Sequence, residues 1–170
     1  MHADRPDSPL FPYTPAMFGT GANVAFERSF LTDSEGFDEA LGAGTRTRGG
    51  EDIDKFVDTL LRGRAIAYEP AAIVWHRHRG DRAGLLRQMF GYGTGLTAFV
   101  AKHLSRRATA RQVLARVPSG VGRALSNRAE TATRLDAPAP RGAAAMEALG
   151  YLVGPYLYAA ERRAGRRRSR

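Results

Sequence analysis

The sequence contains no cysteine in its 170 residues. Disulfides and thiolate metal sites are thereby excluded, and the available metal ligands are four histidines and the carboxylates. Long apolar runs are also missing: Tyr151 to Ala160 falls well short of the ~20 residues that a membrane-spanning helix needs. Lysine is scarce, because Lys55 and Lys102 are the two lysines among 26 basic residues and the rest are arginine. Residues 101–150 hold no aromatic side chain, so the stacking platforms of single-stranded nucleic-acid binders are absent there and specific nucleic-acid binding is not expected. Met1 to Pro15 carries Asp4, Asp7 and four prolines without an apolar run, unlike a signal or transit peptide. A cytoplasmic setting follows, with peripheral contact at the inner face of an anionic membrane.

What is present is 43% hydrophobic residues and a net charge of +9, enough for one ordinary core. The charge is divided unevenly. Residues 1–100 carry 11 basic and 13 acidic side chains, whereas residues 101–170 carry 15 and 4. This asymmetry predicts a globular part over residues 1–104 and a basic, partly helical extension over 105–170 suited to phosphates. The proline-broken stretch 105–141 is expected to contain a disordered linker. Abundant Ala and Gly beside the arginine are also what a GC-rich genome produces.

Residues 1–18 read as an extended lead-in, Ala22 to Glu27 as a short strand and Ser29 to Asp33 as a helical turn ended by Gly36. From Glu51 the spacing of Ile53, Phe56, Val57, Leu60 and Leu61 predicts one face of a helix ending at Gly63. Ala65 to Tyr68 and Ala72 to Trp75 are strand-like. A longer helical pattern runs through Leu85, Met89, Tyr92, Leu96, Phe99 and Val100, and its Gly91, Gly93 and Gly95 predict close approach of another backbone or a ligand. A final amphipathic segment, Met146 to Arg163, is interrupted by Gly154-Pro155. No internal repeat is present.

Glu51, Asp52 and Asp54 stand in the first turn of the predicted helix, directly after Gly49 and Gly50. Acidic residues there satisfy free N–H groups and the helix dipole, and Glu51–Lys55 and Asp58–Arg62 are ordinary i,i+4 pairs. Taken alone, the cluster decides little. His76 and His78 share one strand face, but no third ligand at suitable spacing makes them a zinc site.

The ordered series Phe18 to Phe26, Gly36 to Gly42, Gly50 to Asp54, Tyr68 to Pro70 and Val74 to His76 resembles family 2 glycosyltransferases. The resemblance continues through Gln88 and Gly91-Tyr92-Gly93. It implies an α/β fold, namely the carboxyl-terminal half of a GT-A (Rossmann-like) domain without its amino-terminal nucleotide-binding half, followed by a helical arginine-rich extension. It implies that Asp52 is the general base taking the acceptor hydroxyl proton, with Glu51 shaping the acceptor side. Gly19, Gly21 and Asn23 match the glycine-rich strand entry near donor and acceptor.

By the same resemblance His76 completes the coordination of a divalent metal, Mn²⁺ or Mg²⁺, on a nucleotide-sugar donor. As an alternative, His76 is a half-buried strand residue. Arg77 and Arg79 are suited to pyrophosphate, or are solvated charges. The expected partners are a nucleotide-sugar donor and a glycan or other hydroxyl acceptor, in cell-wall or polysaccharide synthesis. Asp58 and Lys55 depart from the family, which usually has arginine and an apolar residue there. No Asp-x-Asp metal motif precedes Gly19, so a fragment inactive by itself is expected. The competing expectation is a non-catalytic basic module.

Overall fold

The computed structural model describes residues 9–13, 19–75, 81–134 and 141–168, with side chains described outside 124–134 and 168. Five helices follow one another: α1 (Arg28–Asp33), α2 (Glu51–Leu61), α3 (Arg82–Leu104), α4 (Arg107–Arg134) and α5 (Ala143–Arg168). The described residues do not form the expected α/β, Rossmann-like architecture. Among the described residues there is no strand and no sheet; the antiparallel bridge between Gly42 and Gly49 is isolated, and Ala67 is a single bridge residue.

The reason lies in hydrogen bonding, because a β-strand requires a neighbour that takes its backbone N–H and C=O groups. Residues 22–27, 65–68 and 72–75 have strand-like composition, yet apart from a single bridge residue at Ala67 they run as irregular chain, largely at the surface. The first and last of these segments are linked through Asn23, whose Nδ2 donates to the Ala72 carbonyl at 2.7 Å. That bond fixes one point of contact and builds no ladder.

The helices obey their sequence signals more closely. α1 occupies the expected turn, and Gly36 closes it with φ +68° while its N–H donates to Leu31 O. α2 starts directly after Gly50, which takes the left-handed conformation at φ 94°. α3 is capped by Asp81, whose side chain accepts from Gly84 N at 2.6 Å. The Arg-rich stretch after residue 106 forms one helix, α4, continuous through Pro118, rather than broken patches. α5 likewise continues through Gly154-Pro155.

α3 is the central member, lying against α5 along most of its length and meeting α2 and the start of α4. Its glycines are the cause. Gly93 faces α5 so closely that an added Cβ would sit 3.0 Å from Gly150 Cα, and Gly154 approaches Thr94 just as tightly. On the other face of α3, a Cβ at Gly95 would sit 2.7 Å from Gly49 C and one at Gly50 would sit 2.6 Å from Gly95 O. The predicted close approach is therefore backbone to backbone. Thr94 fastens it, its Oγ1 donating to Thr47 O at 2.6 Å.

Apolar packing gathers in two clusters on α3. Tyr13, Val57, Phe99 and Val113 form one, and Ala40, Leu41, Ala98 and Tyr158 form the other. Of the predicted α2 face, Phe56 and Val57 are buried, whereas Leu61 is exposed. The burial is turned toward Asp54 and Lys55, which are buried as charged residues.

Candidate active site

The carboxylates after Gly50 separate into two environments although they share one helical turn. Asp52 is half-buried and faces the glycine loop: Gly21 N–H donates to Asp52 Oδ2 at 2.8 Å, and Ile53 N–H donates to Oδ1 at 2.8 Å. A Cβ at Gly21 would lie 3.0 Å from Asp52 Cβ and 3.1 Å from Oδ2, so a larger residue there would push the Asp52 side chain aside by a few tenths of an ångström. Glu51 packs beside Gly42, where a Cβ would lie 3.5 Å from Glu51 Cδ. Three segments far apart in sequence, 19–23, 36–42 and 50–54, thus converge around the start of α2. Asn23 adds the strap to Ala72.

Asp54 points the other way, into the protein. It accepts from Lys102 Nζ at 2.6 Å and pairs with His103 Nε2 at 3.1 Å. Lys102 also meets Asp38 at 3.0 Å, and Tyr158 Oη donates to the same Asp38 carboxylate at 3.0 Å. Burial alone would raise the Asp54 pKa, but the His103 hydrogen bond and the Lys102 charge outweigh it and hold the carboxyl below its ordinary value. Asp38 shows the same balance: burial raises, while Lys102, the Ala40 N–H and Tyr158 lower it to a net depression. The Tyr158 hydroxyl is pushed well up by burial and by the Asp38 charge. His103 Nδ1 is buried without a hydrogen-bond partner among the described residues.

Lys55 corrects another expectation. It does not form a surface pair with Glu51. Its Nζ is buried, donating to Ser34 Oγ at 3.1 Å and to Asp58 at 3.3 Å, and it stands 5.6 Å and 5.7 Å from the Phe30 and Phe37 rings. The Asp58–Arg62 pair forms as expected, at 2.9 Å. Gly19 takes φ +111° with open space around it. His76, Arg77 and Arg79 lie outside the described residues, as does His78. Among the described residues no group of three or more His, Asp or Glu side chains is arranged to hold a metal, so these residues alone do not form a metal centre.

The geometry holds a fixed carboxylate, Asp52, at a helix amino terminus beside a glycine loop. No known family profile matches the chain, and no solved structure matches it. The chain is 25% identical over 128 residues to the pre-mycofactocin glycosyltransferase of Mycobacterium tuberculosis, in strains CDC 1551 and H37Rv alike. The similarity covers 71% of this chain and 26% of the relative, so the chain spans about a quarter of the length of the curated relatives it matches. It is distantly similar to a glycosyltransferase. No helix among the described residues is long and apolar enough to cross a membrane.

Proposed function

We propose that this chain carries the acceptor side of a glycosyltransferase, with Asp52 as general base in an inverting transfer from a nucleotide sugar to a hydroxyl acceptor. The observation that carries the reading is the Gly21 N–H to Asp52 Oδ2 bond, which joins two motifs 31 residues apart that both resemble family 2 glycosyltransferases. Two backbone N–H groups fix the carboxylate's orientation while leaving the side chain partly open to solvent, as a base that must meet an incoming alcohol requires. Glu51 lies beside it against Gly42 and borders the acceptor's approach. Proton removal by Asp52 sharpens the acceptor oxygen as it attacks the anomeric carbon, and the nucleoside diphosphate departs from the opposite face. A divalent metal, when bound, would neutralise that leaving diphosphate. His76 is the residue proposed to reach it, and Arg77 and Arg79 are proposed to face the diphosphate.

Because the relative is about four times longer than the matched stretch, the complete activity is proposed for this chain together with a donor-binding segment. The test is release of nucleoside diphosphate from UDP- and GDP-sugars, with Mn²⁺ and hydroxyl acceptors, by that combination. Absence of release with every donor would remove the reading.

A second reading concerns location. On the side of α5 turned away from α3, Leu149, Leu152 and Tyr156 are exposed and share a helical face with Arg163 and Arg167. An apolar stripe continued by arginine fits the interface of an anionic bilayer, and we propose peripheral contact there. Co-sedimentation with anionic vesicles, abolished by Leu152→Ser with Tyr156→Ser, is the expected result.

A further inference from the structure

On the side of α2 opposite Asp52, a cleft of about 190 Å³ opens between the 34–38 loop, α2, the end of α3 and α5. Its inner charges are matched. Lys102 bridges Asp38 and Asp54, and Lys55 and Arg62 both meet Asp58. Three cations thus face three carboxylates in the floor. Two further guanidinium groups line the same cleft, Arg106 from the α3–α4 junction and Arg162 from α5. Both residues are exposed, and neither has an acceptor partner among the described residues. One unpaired carboxylate lines the cleft as well, that of Glu35, exposed on the 34–38 loop.

We propose that this cleft is an anion site, in which Arg106 and Arg162 grip a phosphate group above the Asp38–Lys102–Asp54 floor. Guanidinium forks match phosphate oxygens in pairs, and a neutralised floor adds no repulsion of its own. The excess of two free cations over one free carboxylate gives the cleft a net positive charge. Phosphate is the chemistry recognised, supplied either by a free phosphate ligand or by a lipid headgroup at a membrane surface. The inference does not depend on the transferase reading, since it uses neither Asp52 nor the glycine loop.

The experiment titrates the full chain at low salt with inorganic pyrophosphate by calorimetry, and in parallel sediments it with phosphatidylcholine vesicles containing phosphatidic acid. Saturable 1:1 pyrophosphate binding is expected. Arg106→Gln with Arg162→Gln should weaken it by about ten- to a hundred-fold, the cost of losing charge-assisted hydrogen bonds. Glu35→Gln should tighten it, and Arg87→Gln with Arg123→Gln, exposed and outside the cleft, should leave it within about twofold after allowance for general charge. All these side chains are exposed, so the variants should fold, and circular dichroism checks that they do. If vesicles bind through Arg106 and Arg162 while pyrophosphate does not, the phosphate comes from lipid and the site stands. If pyrophosphate displaces the vesicles, one site serves both sources. Binding in neither arm, or binding indifferent to Arg106 and Arg162, overturns the proposal.

Discussion

Replacing Asp54 with Asn tests the buried charge network on which the packing of α2 against α3 depends. Asp54 is 3% exposed and contacts both Lys102 and His103. The substitution keeps shape but removes the charge that compensates two buried bases. Breaking one partner of a buried pair costs about 3–5 kcal/mol when the other charge is left alone. Lys102 retains Asp38 at 3.0 Å, so the loss here should be smaller, about 2–4 kcal/mol. At roughly 2–4 °C per kcal/mol for a chain of this size, Tm should fall by roughly 5–15 °C.

The pH dependence carries a sign. Asp54 and Asp38 have folded pKa values below their unfolded ones, so they contribute stability that is full above the ordinary carboxylate range and is lost as pH falls through their depressed values. Asp54→Asn should therefore flatten the acid limb of the stability curve. Urea unfolding from neutral to acid pH, with Lys102→Met and the double variant completing a cycle, is the assay. A loss under about 0.5 kcal/mol, or an unchanged acid limb, would refute the reasoning.

Other consequences are simpler to check. Gly93→Ala should destabilise the chain by about 1–3 kcal/mol in thermal melts, because its Cβ would meet the Gly150 and Tyr151 backbone, which cannot withdraw like a side-chain tip. Gly122→Ala, on α4 with nothing within 4 Å, should instead stabilise by about 0.5–1 kcal/mol through helix propensity. Lys55→Met should cost less than about 1.5 kcal/mol by urea unfolding, since Asp58 keeps Arg62 and the thioether chain still fills the space between Phe30 and Phe37. Gly21→Ala should leave the melting temperature nearly unchanged at this exposed loop but displace Asp52, so a fall in turnover without unfolding is expected in the transferase assay.

The helices were legible because their signals are local: the i, i+3, i+4 spacing after Glu51 and the turn at Gly36 each act within a few residues, whereas the Asp81 cap of α3 went unread. The glycines of α3 predicted a close neighbour correctly, though not that Gly91 and Gly95 would face the 48–50 loop while Gly93 faces α5. Strands were overread. Short β-like runs such as Ala22 to Glu27 carry composition but no information about whether a pairing partner exists, and pairing decides the matter. Proline and arginine content likewise suggested breaks in 105–134, yet Pro118 interrupts few enough hydrogen bonds for α4 to continue through it.

At the site, the order of the motifs was legible, but not that Gly21 would meet Asp52 or that Gly42 would pack against Glu51. The second network was not. Asp54 resembled its acidic neighbours, and Lys102, His103 and Tyr158 became partners only when α3 and α5 folded back over α2. A signal existed in retrospect, because Lys102 and Tyr158 continue the apolar spacing of Ala98 and Gly154 where a surface residue would not be needed.

The central claim is that Asp52 removes the acceptor proton, and turnover of Asp52→Asn beside the wild-type chain, each combined with the donor-binding segment, tests it most directly. Asn preserves size and can still accept the Gly21 N–H through its amide oxygen, but it cannot take a proton at neutral pH. The account predicts a fall in kcat of roughly 10²–10⁴ with donor affinity nearly unchanged. Turnover within about twofold of the wild-type value would contradict it, and would leave Asp52 as a carboxylate that merely caps α2 and holds the glycine loop.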